Sequence, residues 1–261
     1  MLPSLTRREM LLALIGACAI VREGHGAATW PAEQAVGNLL WHADFSLEPH
    51  QQLLEEVAQL GFDIAAMLEL PPQEEKVHLF LFSRKEVYEA YMKQYFPKVP
   101  ARRALFIKAR GPGMVFAYRS FDFEIDVRHE ATHAILHTMT SHVPLWLDEG
   151  LAEYFEVPRD RRASDNPHHP VMIEQVRQRQ APRLEQLEAL EDLQSMGRDE
   201  YREAWGWVHF LMHGPPLATA ELRKFLVRDS SEESLPLSRL LRQRLPALDP
   251  MFLAHFAENA R

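Results

Sequence analysis

The residues whose types and spacing best suit chemistry are the five from His129 to His133, which read His-Glu-Ala-Thr-His. On a helix, residues four apart project from one face with their Cβ atoms roughly 6 Å apart, so both imidazoles can point one nitrogen at a single ion. Glu130 is offset from His133 by about one sixth of a turn, which suits a base acting on water better than a metal ligand. The motif therefore predicts a zinc site of the hydrolytic type.

Glu149 is the expected third ligand, because it is an acid at a permissible distance inside a second segment with a helix-like apolar side. His137 is on the same stripe as His129 but lies roughly 12 Å from it along the axis, too far for ligands that each bind about 2 Å from one ion. A pattern with three histidines would need Gly at position 136 and His at position 139, where the chain has Leu136 and Met139. The apolar side of the second segment comprises Trp146, Leu147, Leu151, Tyr154 and Phe155.

The second segment reads Pro-Leu-Trp-Leu-Asp-Glu-Gly-Leu-Ala-Glu-Tyr from Pro144 to Tyr154. Together with the first motif it resembles the gluzincins, the clan of thermolysin and of the aminopeptidase N type, and most closely the small bacterial peptidase MA-like proteins. The resemblance covers roughly residues 36 to 215. It implies that His129, His133 and Glu149 bind zinc and that Glu130 is the catalytic carboxylate.

The same resemblance implies two further roles. In thermolysin-like members, an acid four residues after the ligand glutamate receives a hydrogen bond from a ligand histidine, so Glu153 is the expected acceptor and Glu156 the competing candidate. Relatives commonly supply a Tyr or His from a downstream helix as a second donor to the oxyanion of the reaction. Tyr201 occupies a comparable place along the chain, with His209 and His213 as alternatives.

The charge composition of the chain limits the classes of partner that it can be expected to bind. The chain has 261 residues and a net charge of -8, without a dense basic block, so no nucleic-acid partner is expected. The short basic cluster from Arg159 to Arg162 is interrupted by an acid and is interpreted as a solvated loop. The expected partner is a peptide or protein substrate.

Residues 1–28 have the order of charged, apolar and small residues found in a signal peptide. Arg7 and Arg8 precede the apolar run from Met10 to Val21, and small residues follow up to Ala28. The run is shorter than the roughly 20 residues that span a bilayer as a helix, so no membrane span is expected in the mature chain. We therefore expect an exported protein, periplasmic or extracellular, with a retained anchor as the weaker alternative.

Two kinds of signal stay open within export. The sequence from Thr6 to Leu11 resembles a twin-arginine signal, whereas Ile15 to Cys18 resembles a lipoprotein box that would place a lipid anchor on Cys18. Cys18 is the only cysteine, so zinc cannot be held by sulfur in the mature domain.

The expected fold class is α+β. A small mixed sheet with helices forms an N-terminal lobe over residues 29–157, the active-site helices lie at the junction, and an all-helical lobe covers residues 158–261.

Proline-rich residues 158–170 are expected to form a mobile surface loop or a lobe boundary, with His168 and His169 exposed. Ser83 to Glu86 predicts a capping box, and the strand with Val115 to Ala117 is expected to be the cleft edge for a bound peptide. Strands are predicted at 38–42, 77–82, 104–108 and 114–118. A helix is predicted between the capping box and Pro97, and further helices at 47–68, 123–140, 146–156, 171–179, 183–194, 199–213, 217–227, 235–243 and 248–259.

The predicted function is an exported zinc-dependent metallopeptidase that uses metal-activated water and a glutamate base. The alternative is a gluzincin-like binding or scaffolding module that keeps zinc for stability and lacks peptidase activity. Loss of the base would be the hallmark of that alternative, and Glu130 is present.

Overall fold

A computed structural model of the chain describes residues 30–108, 111–140, 143–228 and 235–258. Over these ranges the fold is α+β, with ten α-helices and a mixed five-stranded sheet, which confirms the expected class. The predictions about the signal peptide, including Arg7, Arg8 and Cys18, lie outside the described residues. Within them, no helix has the length and apolar character needed to cross a membrane.

The sheet has the strand order β1-β2-β3-β5-β4, in which β2, β3 and β5 are parallel and the two outer strands are antiparallel to their neighbours. A helix connects the parallel strands β2 and β3, which together form a βαβ unit. The sequence analysis missed β1, although Gly37-Asn38 is a two-residue hairpin turn and Gly37 has a φ of 58°. The strands are β1 Ala32–Val36, β2 Leu39–Ala43, β3 Val77–Phe82, β4 Ala104–Ile107 and β5 Gly113–Tyr118.

The expected cleft edge at Val115 to Ala117 is wrong. Those residues belong to β5, which is hydrogen-bonded to β3 on one side and to β4 on the other. A strand paired on both sides has no main-chain groups left to pair with a peptide. The hairpin places β4 outside β5, so β4 is the edge strand on this side of the described sheet.

The chain forms two compact units. The first ends at Met139 and excludes residues 64–71, which belong to the second. The first unit contains the sheet together with α2 (Lys85–Tyr95), α3 (Phe123–Met139) and most of α1 (Gln51–Leu68). Helix α3 packs against β4 and β5. The domain boundary expected after residue 157 stays a prediction.

The capping box expected before α2 is absent. The backbone N–H and the hydroxyl of Ser83 both donate to the carboxylate of Asp44, at 2.6 and 3.2 Å, and α2 begins after Arg84 without a side-chain cap. Asp44 thus ties the end of β2 to the end of β3, which a pattern confined to four adjacent residues could not reveal.

The second unit is helical in its described residues. The expected helix at 183–194 is shorter in the structure, since it ends at Glu188, and Asp192 then caps a single 3-10 turn at Leu193–Ser195. The helices are α4 Leu145–Phe155, α5 His168–Arg177, α6 Leu184–Glu188, α7 Arg198–His213, α8 Pro216–Leu226, α9 Leu237–Arg244 and α10 Leu248–Glu258.

Residues 158–170 were expected to form a mobile surface loop or a lobe boundary; in the structure α5 begins at His168, and the residues before it are held against α4 and the residue that follows its end. Arg162 is 5% exposed, donates from Nε to the Val157 carbonyl at 3.0 Å and covers the ring of Phe155. Asn166 is 2% exposed and donates to the Glu153 carbonyl at 2.8 Å. The interpretation of Arg159 to Arg162 as wholly solvated is therefore wrong at Arg162, because the apolar part of its side chain packs on an aromatic ring.

Candidate metal centre

Helix α3 carries the two histidines of the first motif on one face. The Nε2 atoms of His129 and His133 are 3.3 Å apart. Two nitrogens that each lie about 2.0–2.1 Å from a tetrahedral zinc ion are separated by about 3.3–3.4 Å, so the observed distance fits a pair of zinc ligands. Zinc fits this pair better than a larger cation would, because imidazole nitrogen is among its preferred donors.

Contacts inside the first unit hold α3 in place. Arg128 is 5% exposed and donates to the carboxylate of Glu56 on α1 at 2.9 Å. At the start of α3, Arg103 forms ion pairs with Asp122 and, at 2.9 Å, with Asp126. The helix is thereby fixed at its first turn and again one residue before His129.

His137 lies outside both groups of potential metal ligands found among the described residues. Its ring is 5.5 Å from that of Phe106, and its carbonyl accepts a hydrogen bond from Lys108 at 2.9 Å. These contacts are those of a residue that packs within the first unit.

Helix α4 carries Glu149, which is 3% exposed, in the second unit. The next residue, Gly150, lies where a Cβ atom would be 2.7 Å from the carbonyl oxygen of Ala204 on α7. Only a glycine permits so close an approach, so the packing of α4 on α7 determines the position of the residue that precedes it.

Two groups of potential ligands occur among the described residues. The first is His129, His133 and Glu149, and the second is His129 with Glu153 and Glu156; in each, one ligand atom per residue lies within 4.8 Å of the others. The first group offers two imidazole nitrogens and one carboxylate oxygen, which are donor types that zinc accepts.

Glu153 has a partner that the sequence analysis missed. The Nε2 atom of His168 lies 3.0 Å from a carboxylate oxygen of Glu153, and the two side chains are only 24% and 16% exposed. The expectation that His168 and His169 are exposed is therefore wrong: His169 is also half-buried, with its ring 6.0 Å from that of Trp205. The turn at Asn166 brings the ring of His168 back onto α4, whereas the ring of His169 packs on α7, and no local sequence pattern signals either contact.

The structure distinguishes among the candidate oxyanion donors. Tyr201 is half-buried in the first turn of α7, near the helix start where it was expected. His209 uses both ring nitrogens, because Nε2 donates to the Ala163 carbonyl and Nδ1 is paired with Nε2 of His255, each at 2.9 Å. Burial also lowers the pKa of His209 to about 3. His209 is therefore a core residue of the second unit rather than a donor to a substrate.

The other alternative, His213, forms a 2.8 Å hydrogen bond through Nε2 with the hydroxyl of Tyr154. That bond links the end of α7 to α4.

Comparison with known proteins adds one match. The sequence model of a family described as a protein of unknown function (DUF1570) matches residues 125–236. That range contains the two histidines of α3 together with Glu149 and Tyr201. No curated protein matches the chain.

Proposed function

We propose that this chain is a zinc-dependent metallopeptidase that hydrolyses peptide bonds, with His129, His133 and Glu149 as ligands and Glu130 as general base. The observation that carries the proposal is the 3.3 Å separation of the two Nε2 atoms. Two imidazoles can lie this close in a protein core as a hydrogen-bonded pair, but the carboxylate of Glu149 within 4.8 Å completes a donor set that zinc prefers.

Zinc, when bound at these residues, polarises a substrate carbonyl and lowers the pKa of water toward about 7. Glu130 follows His129 on α3 and is half-buried, so its carboxylate is partly shielded from solvent beside the ligands. In the proposed reaction Glu130 accepts the proton of the attacking water and then returns it to the leaving amine. Tyr201 donates a hydrogen bond to the oxyanion that develops on the carbonyl oxygen.

A peptide is the substrate class that best fits the sheet. Strand β4 is the edge strand on the side of the sheet against which α3 packs, and its outer main-chain groups can pair with an extended peptide. This assignment replaces the expected pairing at Val115 to Ala117. Export of the mature chain to the periplasm or the exterior, with or without lipid on Cys18, remains part of the proposal.

The test is the substitution Glu130→Gln, which keeps the size of the side chain and removes its basicity. We expect zinc content to stay near one ion per chain and hydrolysis of a peptide library to fall by about 100- to 10,000-fold, the usual contribution of a general base. Glu124→Gln is the matched control, because Glu124 is exposed on the same helix.

Undiminished hydrolysis in Glu130→Gln, with the metal retained, would remove Glu130 from the mechanism. If the wild-type protein binds zinc but hydrolyses no peptide, the result would instead favour the alternative function, a zinc-containing binding or scaffolding module without peptidase activity.

A further inference from the structure

Side chains from three neighbouring strands of the sheet form one continuous chain of hydrogen bonds. Nδ1 of His42 on β2 lies 2.8 Å from a carboxylate oxygen of Glu33 on β1, and Nε2 of His42 lies 3.0 Å from Nδ1 of His78 on β3. The planes of the two imidazoles differ by 4° and their centres are 5.2 Å apart, so the rings meet edge to edge. In this arrangement one nitrogen donates and the other accepts, and the three residues form a relay.

The carboxylate determines the tautomer of each histidine in the relay. An ionised carboxylate only accepts hydrogen bonds, so Nδ1 of His42 carries the hydrogen and donates to Glu33. In the neutral ring of His42, Nε2 then holds a lone pair and accepts from Nδ1–H of His78. A neutral imidazole has a single N–H, so Nε2 of His78 also holds a lone pair. This nitrogen has no hydrogen-bond partner within the described residues and is not buried, so it can bind a ligand from solvent.

The residue beside His78 on β5 is Met114, which pairs with it in the register of the parallel strands. Neighbouring strands lie about 4.7–4.9 Å apart. Two residues further along, the rings of Phe80 and Phe116 stack with their centres 5.1 Å apart. Because side chains alternate along a strand, His78 and Met114 lie on the same face of the sheet as these rings. An imidazole and a thioether side chain, both half-buried, are therefore neighbours on this face.

The donor types distinguish among metal ions. Thioether sulfur is a soft ligand that selects Cu(I), and imidazole also suits copper. Zinc instead takes thiolate, imidazole and carboxylate ligands, so Met114 is a poor partner for it. On the other side of His78, the paired residue on β2 is Leu40, which is half-buried. Apolar neighbours suit a soft monovalent cation, because it is less strongly hydrated than a divalent one.

We propose that His78 and Met114 are the ligands of a second metal site, which binds Cu(I) through Nε2 of His78 and the thioether of Met114. Glu33 and His42 are positioning residues of this site. They fix the tautomer and the orientation of the His78 ring without touching the metal, as acceptors on the second nitrogen of a ligand histidine do.

Helix α3 lies on the other face of the sheet. At Gly113, the residue before Met114, an added Cβ would lie 3.8 Å from the Cβ of Ala134 on α3. Because successive side chains of a strand point to opposite faces, Met114 points away from α3. The copper site is therefore separate from the histidines of α3, and the inference does not depend on the proposed function.

The experiment measures the Cu(I) affinity of the full chain by competition with a Cu(I) chelator, with a reductant and without oxygen. Every sample carries Cys18→Ser, so that the only thiol does not bind the ion, and one equivalent of zinc, which occupies His129 and His133. Met114→Leu removes the sulfur and keeps the apolar bulk. It should weaken Cu(I) binding by more than the about 10- to 100-fold that loss of an outer partner costs. Met67→Leu is the matched control, at another half-buried methionine.

His78→Ala should cause a similar loss, and His50→Ala is its control because His50 is also half-buried in the first unit. His42→Ala keeps both ligands and should weaken binding by about 10- to 100-fold. Nitrogen NMR of the metal-free chain should place the hydrogen of His78 on Nδ1, and His42→Ala should abolish that preference. Ag(I), a redox-inert analogue of Cu(I), should shift the signals of His78 Nε2 and of the Met114 methyl group.

Unchanged Cu(I) affinity in His78→Ala or Met114→Leu would overturn the inference, as would an equal loss in either control. Wild-type affinity and an unchanged tautomer in His42→Ala would overturn the positioning role of the relay. Each of those results leaves the proposed function standing. A chain that binds no zinc would overturn the proposed function and leave the copper site intact.

Discussion

Replacing Gly150 by alanine perturbs the metal centre from outside its ligand set. The added Cβ would lie 2.7 Å from the carbonyl oxygen of Ala204, about 0.7 Å short of the 3.4 Å at which ordinary contact begins. A backbone carbonyl in the middle of α7 cannot rotate away, so α4 must shift. Forced overpacking of this kind costs about 1–3 kcal/mol, which lowers the melting temperature by about 2–12 °C in a chain of this size.

The shift also reaches the adjacent Glu149. Metal–ligand distances tolerate changes of about 0.2 Å, less than the displacement that the new methyl group demands. Gly150→Ala should therefore weaken zinc binding as well as folding. Calorimetry of the metal-free protein measures the first effect, and chelator competition measures the second.

Gly206→Ala is the matched control, on α7 itself. Its Cβ would approach the terminal methyl of Met172 to 2.6 Å, but this atom is the end of a flexible side chain and can move aside. Both substitutions gain about 1 kcal/mol of helix propensity, so the difference between them isolates the carbonyl contact. Equal stability of Gly150→Ala and Gly206→Ala would refute the packing argument, and a destabilised Gly150→Ala with unchanged zinc affinity would refute its extension to Glu149.

Three further predictions concern the site and the second unit. Tyr201→Phe should retain zinc and lower kcat by about 100-fold or more, as loss of an oxyanion donor does; an unchanged kcat would return attention to His213. Glu149→Ala should lose zinc more readily than Glu153→Ala in dialysis, and the reverse order would contradict the third-ligand assignment. Burial lowers the pKa of His209 to about 3 and that of His255 to about 4, both below the ordinary value of 6.5. The unfolded chain therefore binds more protons, and the denaturant midpoint should fall as the pH drops below about 6.5; a midpoint independent of pH down to about 5 would contradict this.

The parts of the fold that sequence predicted well are those fixed by local patterns. Helix α3 was predicted at 123–140 and runs from Phe123 to Met139, and α4 was predicted at 146–156 and runs from Leu145 to Phe155. Their apolar periodicity and turn residues are contained within each segment, so neighbouring elements were not needed to locate them.

The errors concern residues whose environment is set by distant parts of the chain. Strand β5 was predicted at nearly its observed position, but its place between β3 and β4 depends on how the hairpin adds to the sheet. Ser83 has the sequence context of a helix cap, yet Asp44, 39 residues earlier, competes for its donors. His168 stands in a polar, proline-rich stretch that suggested exposure, and its burial follows from the turn that returns the chain to α4.

The residues of the candidate site also fall into two sets: those that a local pattern predicts and those whose contacts depend on distant parts of the chain. The spacing of His129 and His133 predicted their shared face, because four residues on a helix determine it. Glu149 was chosen from its residue type and from the resemblance, since no helical periodicity links two separate helices. The contacts of Glu153 with His168 and Asn166 required the folded second unit.

The most direct test of the proposed centre is an anomalous difference map, recorded at the zinc absorption edge from crystals of the zinc-loaded protein. The proposal predicts one peak about 2.0–2.2 Å from Nε2 of His129, Nε2 of His133 and a carboxylate oxygen of Glu149. A peak coordinated by Glu153 and Glu156 instead, or a Glu149 carboxylate beyond coordinating distance, would contradict it.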